Sequence, residues 1–203
     1  MSLSDSELRL MRLFTAAVLG RMDELVRIRR AAPPGEPDRR WREAVLQVHV
    51  FAGFPRLVES YDALAAAGGL GEAEPGEFAP ESEERLRAHG RELFDRIYAD
   101  DADSVRALLA NHHRDFAAWI ESHAYGRVLA RPGLSADRRE LLAVCALAAL
   151  GQERQLASHV RGSLRLGATR AELDQALASV SDLVETGRAD RAQRVLERFA
   201  PLA

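Results

Sequence analysis

Apolar positions recur every three or four residues along most of this chain, the spacing that gathers them on one face of a helix. From about residue 5 to residue 30 such a stripe is supplied by Leu8, Met11, Leu13, Val18, Met22, Leu25 and Ile28, with a break expected near Gly20. Pro33-Pro34-Gly35 and Pro37 stop it, because proline lacks the amide a helix needs and clashes with the preceding turn. A second stretch, residues 38–67, carries Trp41, Val45, Val48 and Phe51 on one side, and Gly53-Phe54-Pro55 predicts a kink within it. Residues 68–80 are rich in glycine and proline and read as a loop. A charged helix follows over residues 81–99, with Leu86, Leu93, Phe94 and Ile97 inward, then further helices over 104–111 and 114–129 and a turn at Arg131-Pro132-Gly133.

The pattern is clearest near the end. Ser135 is a good N-cap for an apolar helix over 137–150. An amphipathic helix over 152–166 ends at Gly167, a position that favours glycine. Thr169 and Glu172 have capping-box spacing for a helix that runs to about residue 185, and residues 189–199 form a last short one. No stretch alternates in the manner of a strand, so the fold class is all-α. Two segments can also be superimposed. Ala17-Val18-Leu19-Gly20, Leu25, Gly35, Trp41 and Arg56 match Ala149-Leu150-Gly151, Leu156, Gly167, Leu173 and Arg188, with a one-residue adjustment between the first two glycines. This predicts two degenerate helical repeats packed about a pseudo-twofold.

Composition narrows the chemistry. Apolar residues make up 47% and charged residues 29%, ordinary globular usage, and the net charge of −3 gives no global basic field for nucleic acid. Arg27-Ile28-Arg29-Arg30 and Arg39-Arg40 read as a solvated face or a subunit contact. The longest purely apolar run, residues 141–150, is far short of the roughly 18 residues of a membrane span. The polar, acidic first residues lack signal-peptide character, so a cytoplasmic location is expected. The single cysteine, Cys145, excludes an intrachain disulfide, a CxxC pair and a multi-cysteine zinc site. On its apolar helix it reads as a buried inert thiol. All 28 basic residues are arginine, which excludes Schiff-base chemistry through lysine. His112-His113 and His123 lack the spacing of an HExxH zinc motif, so no metal is expected.

The run from Arg138-Arg139-Glu140 through Ala149-Leu150-Gly151, Gln155-Leu156-Ala157-Ser158-His159 and Gly167-Ala168-Thr169 to Glu172-Leu173 resembles the carboxymuconolactone decarboxylase family, which includes the alkyl hydroperoxidase D-like proteins. Residues 43–55, ending His49-Val50-Phe51-Ala52-Gly53-Phe54-Pro55, look like the family's other signature. The resemblance implies an alkyl hydroperoxidase D-like helical bundle, usually a homo-oligomer (dimer, trimer or hexamer). The peroxidase branch has a CxxCxxxH motif whose cysteines would fall at Gln152 and Gln155. Glutamine forms neither a sulfenic acid nor a disulfide, so thiol peroxidase chemistry is not expected. Each signature also stands in only one half: Ile28 falls near the place of the histidine in the first half, and Val184-Glu185-Thr186-Gly187 stands where the second would carry the Gly-Phe-Pro run.

Glu140 and His159 match the positions that the family's peroxidase branch uses as a proton relay beside its dithiol, and they lie on consecutive helices, where facing side chains can meet. From the residues alone, a core-edge histidine and an exposed early-helix acid are the better reading of this pair. The resemblance implies a cofactor-free lyase acting by proton transfer on a small carboxylated or lactone substrate, with Glu140 and His159 as catalytic residues. Arg139 and Arg161 are candidates to hold the substrate carboxylate, Gln152 and Gln155 to line the pocket, and His49 either to line it or to pack in the core. The other reading is a catalytically degenerate family member that works as a ligand-binding or assembly module. The organisation expected is a first repeat over 1–68, a linker with intervening helices over 69–134 and a second repeat over 135–203, in one compact domain.

Overall fold

A computed structural model describes residues 2–36, 38–77 and 81–201. Pro37 and the last three residues of the predicted loop, 78–80, lie outside the described residues. The chain is all-α. In order come α1 (Asp5–Leu19), α2 (Met22–Arg30), α3 (Asp38–Ala66), α4 (Glu83–Tyr98), α5 (Ala102–His112), α6 (Arg114–Trp119), α7 (Ala136–Leu150), α8 (Glu153–Arg165), α9 (Arg170–Val180) and α10 (Thr186–Phe199). Among the described residues no helix is long and apolar enough to cross a membrane.

The predicted breaks have the expected causes. Gly20 ends α1 in the left-handed conformation (φ 76°) and Gly151 ends α7 in the same way (φ 70°). Arg21 and Gln152 follow with nearly the same extended turn, φ −88°, ψ 70° and φ −92°, ψ 67°. Arg56 lies against the first glycine and Arg188 against the second. Gly53, at φ 80° and ψ 166°, makes the kink in α3 ahead of Pro55. Only glycine reaches such angles without strain.

Some boundaries differ from the pattern. Ser135 caps α7 by its backbone conformation, but its hydroxyl makes no capping hydrogen bond. The helix expected to run to residue 185 ends at Val180, and α10 starts at Thr186. The predicted helix over 114–129 is α-helical only to Trp119 and continues as a π-helix, Ile120–Leu129. A wider turn carries no signature in apolar spacing. The π-helix packs closely on α4: Gly90 lies on the Glu121 carbonyl and Gly126 lies on the Leu86 carbonyl, so the two backbones touch without intervening side chains.

One large core joins α1, α2 and α3 with α7 to α10, and a smaller one forms where α4 and α5 meet the π-helix. Helix α7 runs through the large core, and every residue from Arg139 to Ala149 is buried. Two capping boxes, Ser4 with Glu7 at α1 and Thr169 with Glu172 at α9, satisfy helix-end amides. Arg138 joins them, donating to Glu7 at 2.6 Å and to Glu172 at 2.9 Å. Burial opposes ionisation of Glu7, yet the Ser4 amide and hydroxyl and the Arg138 guanidinium hold its carboxyl down to about 2.

Candidate active site

Glu140 and His159 meet across the α7–α8 seam. His159 Nδ1 lies 2.9 Å from Glu140 Oε2. The Glu140 side chain is 1% exposed and that of His159 12%. Two antiparallel helices joined by a tight glycine turn place these residues face to face, and Gly162 of α8 makes room for the carboxylate. A Cβ at that position would lie 2.7 Å from Glu140 Oε2 and 2.9 Å from Ile97 Cγ2. Burial lowers the pKa of the imidazole, but the charge and hydrogen bond of Glu140 outweigh it and leave His159 above its ordinary value. With Nδ1 committed to Glu140, Nε2 is the nitrogen able to exchange a proton with a bound molecule.

His159 opens onto a cavity of about 530 Å³, a size that suits a small organic ligand. Its floor is largely apolar, with Phe51 of α3, Leu147 of α7 and Leu129 of the π-helix. Helices α5 and α6 close one side through Leu108, Leu109 and Phe116. The ring of Phe51 packs edge-on against His159, 6.2 Å between centroids. Gln152, Gln155, Ser158 and Arg154 line the α8 side. The two glutamines therefore stand beside His159, as the spacing predicts, in a pocket that no thiol enters. Cys145 is fully buried away from it, and burial pushes its thiol up to about 12.

Three predicted residues lie elsewhere. Arg139 follows Glu140's helix but projects about 100° away, as consecutive helical residues do, and is buried against α3. Its Nη2 donates to Glu43 Oε2 at 2.7 Å and to the Arg131 carbonyl, and Gln47 donates to its carbonyl. It therefore cannot clamp a substrate beside His159. Arg161 stacks over the Phe199 ring at 4.9 Å, on the α10 side of α8. His49 packs with its ring stacked on Phe54 and its Nε2 2.8 Å from His123 Nε2. Its Nδ1–H donates to the Leu46 carbonyl, so Nε2 accepts from His123. Burial, aided by the neighbouring His123, lowers the pKa of His49.

The sequence pattern missed the tyrosines. Tyr98, at the end of α4, and Tyr125, in the π-helix, both line the cavity, and the Tyr125 hydroxyl donates to that of Tyr98 at 3.1 Å. Burial raises both pKa values, and the neighbouring Glu140 charge adds to this. Both hydroxyls therefore stay protonated. Their only sequence signal is scarcity: two of the three tyrosines in the chain meet here. Glu43 was visible only as the first residue of a signature; it is 2% exposed and holds Arg131 and Arg139 together. Among the described residues no group of three or more His, Cys, Asp or Glu is arranged to hold a metal ion.

The all-α chain thus holds a buried carboxylate–imidazole pair at the wall of a largely apolar cavity. Residues 114–198 match the carboxymuconolactone decarboxylase family. A curated relative, the 4-carboxymuconolactone decarboxylase of Acinetobacter baylyi, is 36% identical over 73 residues, 36% of this chain and 54% of the relative. The match thus spans about half the length of that relative. The family segment begins with α6, inside the stretch expected to be linker and intervening helices, and includes the π-helix with Tyr125. The signature in residues 43–55 lies outside the matched segment.

Proposed function

We propose that this protein is a cofactor-free lyase that decarboxylates a small carboxylated or lactone substrate in the cavity beside His159. The observation that carries this reading is the buried Glu140–His159 hydrogen bond with the imidazole facing a cavity of about 530 Å³. In the reaction, the bond between carbon and the substrate carboxylate breaks and CO₂ leaves. The electron pair left on carbon takes a proton from His159 Nε2, and water restores it. Glu140 orients the ring and balances the imidazolium charge before transfer. Apolar walls favour this step, because a carboxylate loses solvation on entering them and CO₂ needs none. Protonated Tyr98 can donate to an oxygen on which charge develops. Arg154 takes the role first given to Arg139 and Arg161. It lies at the cavity wall on the helix that carries His159, while its neighbour Glu153 is engaged with Arg191.

The reading of a chemically inactive module expects both Glu140 and His159 in solvent; their burial and mutual hydrogen bond favour the enzyme. A homo-oligomer in the cytoplasm is part of the same proposal. So is the origin of the chain from two copies of one helical unit, which the matched turns at Gly20 and Gly151 and the arginines against them support. A screen of small carboxylated lactones and unsaturated acids for CO₂ release tests the activity. Release by the wild-type protein that is lost in His159→Gln supports it; a folded protein that releases no CO₂ from any member of the panel speaks against it.

A further inference from the structure

A second cavity, of about 500 Å³, lies on the other side of α3, between its two halves and the loop that follows it. Four side chains bring polarity to it: Arg42, Glu43, Tyr61 and Arg131. Leu46, Leu64 and Leu70 make an apolar wall. Arginines fasten the loop over this space. Arg29 Nε donates to the Gly69 carbonyl at 3.0 Å, Arg42 pairs with Glu77 at 2.7 Å and Arg39 pairs with Glu74 at 2.8 Å.

The charges around this cavity do not cancel. Glu43 serves two guanidiniums, Arg131 at 2.8 Å and Arg139 at 2.7 Å. With the Arg42–Glu77 and Arg39–Glu74 pairs beside them, four arginines face three glutamates. The shortfall is visible atom by atom. Behind the cavity wall, the Nε groups of Arg39 and Arg139, neither of which lines the cavity, are buried with no acceptor among the described residues. Arg131 spends Nε and Nη2 on Glu43 and on the Glu77 carbonyl, and among the described residues Nη1 keeps its two N–H groups for another partner. An excess positive charge in a partly desolvated site attracts an anion far more strongly than one in water.

We propose that this cavity binds a small organic anion with an apolar body, its carboxylate held by Arg131 Nη1 and the Tyr61 hydroxyl and its body against Leu46, Leu64 and Leu70. The site is separate from His159 and does not depend on the reaction assigned there. An inorganic anion would satisfy the charge but leave the apolar wall uncovered; a neutral molecule would cover the wall but leave the charge. A planar or short-chain carboxylate does both. Since the loop over residues 68–77 contributes Gly69 and Leu70 to the cavity, occupancy also steadies that loop.

The probe is 4-bromobenzoate, located by the anomalous signal of bromine in crystals and titrated calorimetrically in solution. Ala65 is an exposed residue on the cavity wall, so Ala65→Trp fills the space without disturbing the ion cluster. The expected result is a bromine peak against Leu46 and Leu64, affinity at this site lowered about tenfold or more by Ala65→Trp and by replacing the probe with 4-bromobenzyl alcohol, and a smaller loss in Tyr61→Phe. His159→Gln leaves this binding unchanged. A bromine peak only beside His159, equal binding of the neutral alcohol, an affinity indifferent to Ala65→Trp, or binding at crystal concentration only would each overturn the proposal.

Discussion

Arg139 and Glu140 are adjacent, both are 1% exposed, and they serve different ends. Arg139 belongs to a buried Arg131–Glu43–Arg139 cluster, where the carboxylate offsets two guanidiniums that burial would otherwise make costly. Removing it leaves those charges unpaired, so Glu43→Ala is expected to lower stability by about 3–5 kcal/mol, read from urea unfolding. Glu140 belongs to the site. Because His159 holds its proton more tightly in the folded protein than in the unfolded chain, the pair adds stability that is complete below the ordinary histidine value of 6.5 and is lost as pH rises through the raised folded value. The stability gap between wild type and His159→Gln should therefore be widest near pH 6 and close toward pH 9; a gap that widens with pH would contradict this. The sequence could name both residues but not assign them. A helix buried all round gives no polar face to show which neighbour each side chain meets, and the carboxylate that claims Arg139 lies 96 residues away.

At the scale of the elements, apolar spacing and glycine placement gave most helices and the breaks at Gly20, Gly53 and Gly151, since each break is a local backbone requirement. The π-helix escaped, because a wider turn leaves no mark in apolar spacing; it packs where Gly90 and Gly126 bring two helix backbones into contact. Tyr125 escaped with it. The α7–α8 seam has the same dependence on a glycine. Gly162→Ala would push a methyl group against the Glu140 carboxylate and Ile97. Expected are a loss of about 1–3 kcal/mol and a His159 pKa lowered relative to wild type, followed by NMR titration of the imidazole. An unchanged titration would mean that the carboxylate is not held against Gly162.

For the whole molecule, the apolar run at residues 141–150 suggested a helix that needs a partner subunit to cover it. The structure removes that reason, because α7 is covered within the chain. Large apolar side chains are exposed elsewhere: Phe54 at 63%, Val58 at 58% and Trp119 at 66%. The proposed oligomer should use these, since covering large apolar side chains favours association and aromatic residues are enriched at interfaces. Phe54→Ser combined with Trp119→Ser is expected to shift the protein to a 22.4 kDa species in sedimentation while leaving its helical content intact. A wild-type protein that already sediments as that species at micromolar concentration would contradict the proposal.

The central claim is that His159 moves a proton rather than fills a space, and turnover and melting temperature measured on one sample of His159→Gln test it most directly. Glutamine keeps much of the volume and a hydrogen-bond donor for Glu140 but has no titratable proton. The account predicts a folded protein, destabilised by roughly 1 kcal/mol or less at pH 8, whose CO₂ release falls about 10²-fold or more. A variant that melts much lower yet turns over at the wild-type rate per folded molecule would contradict it.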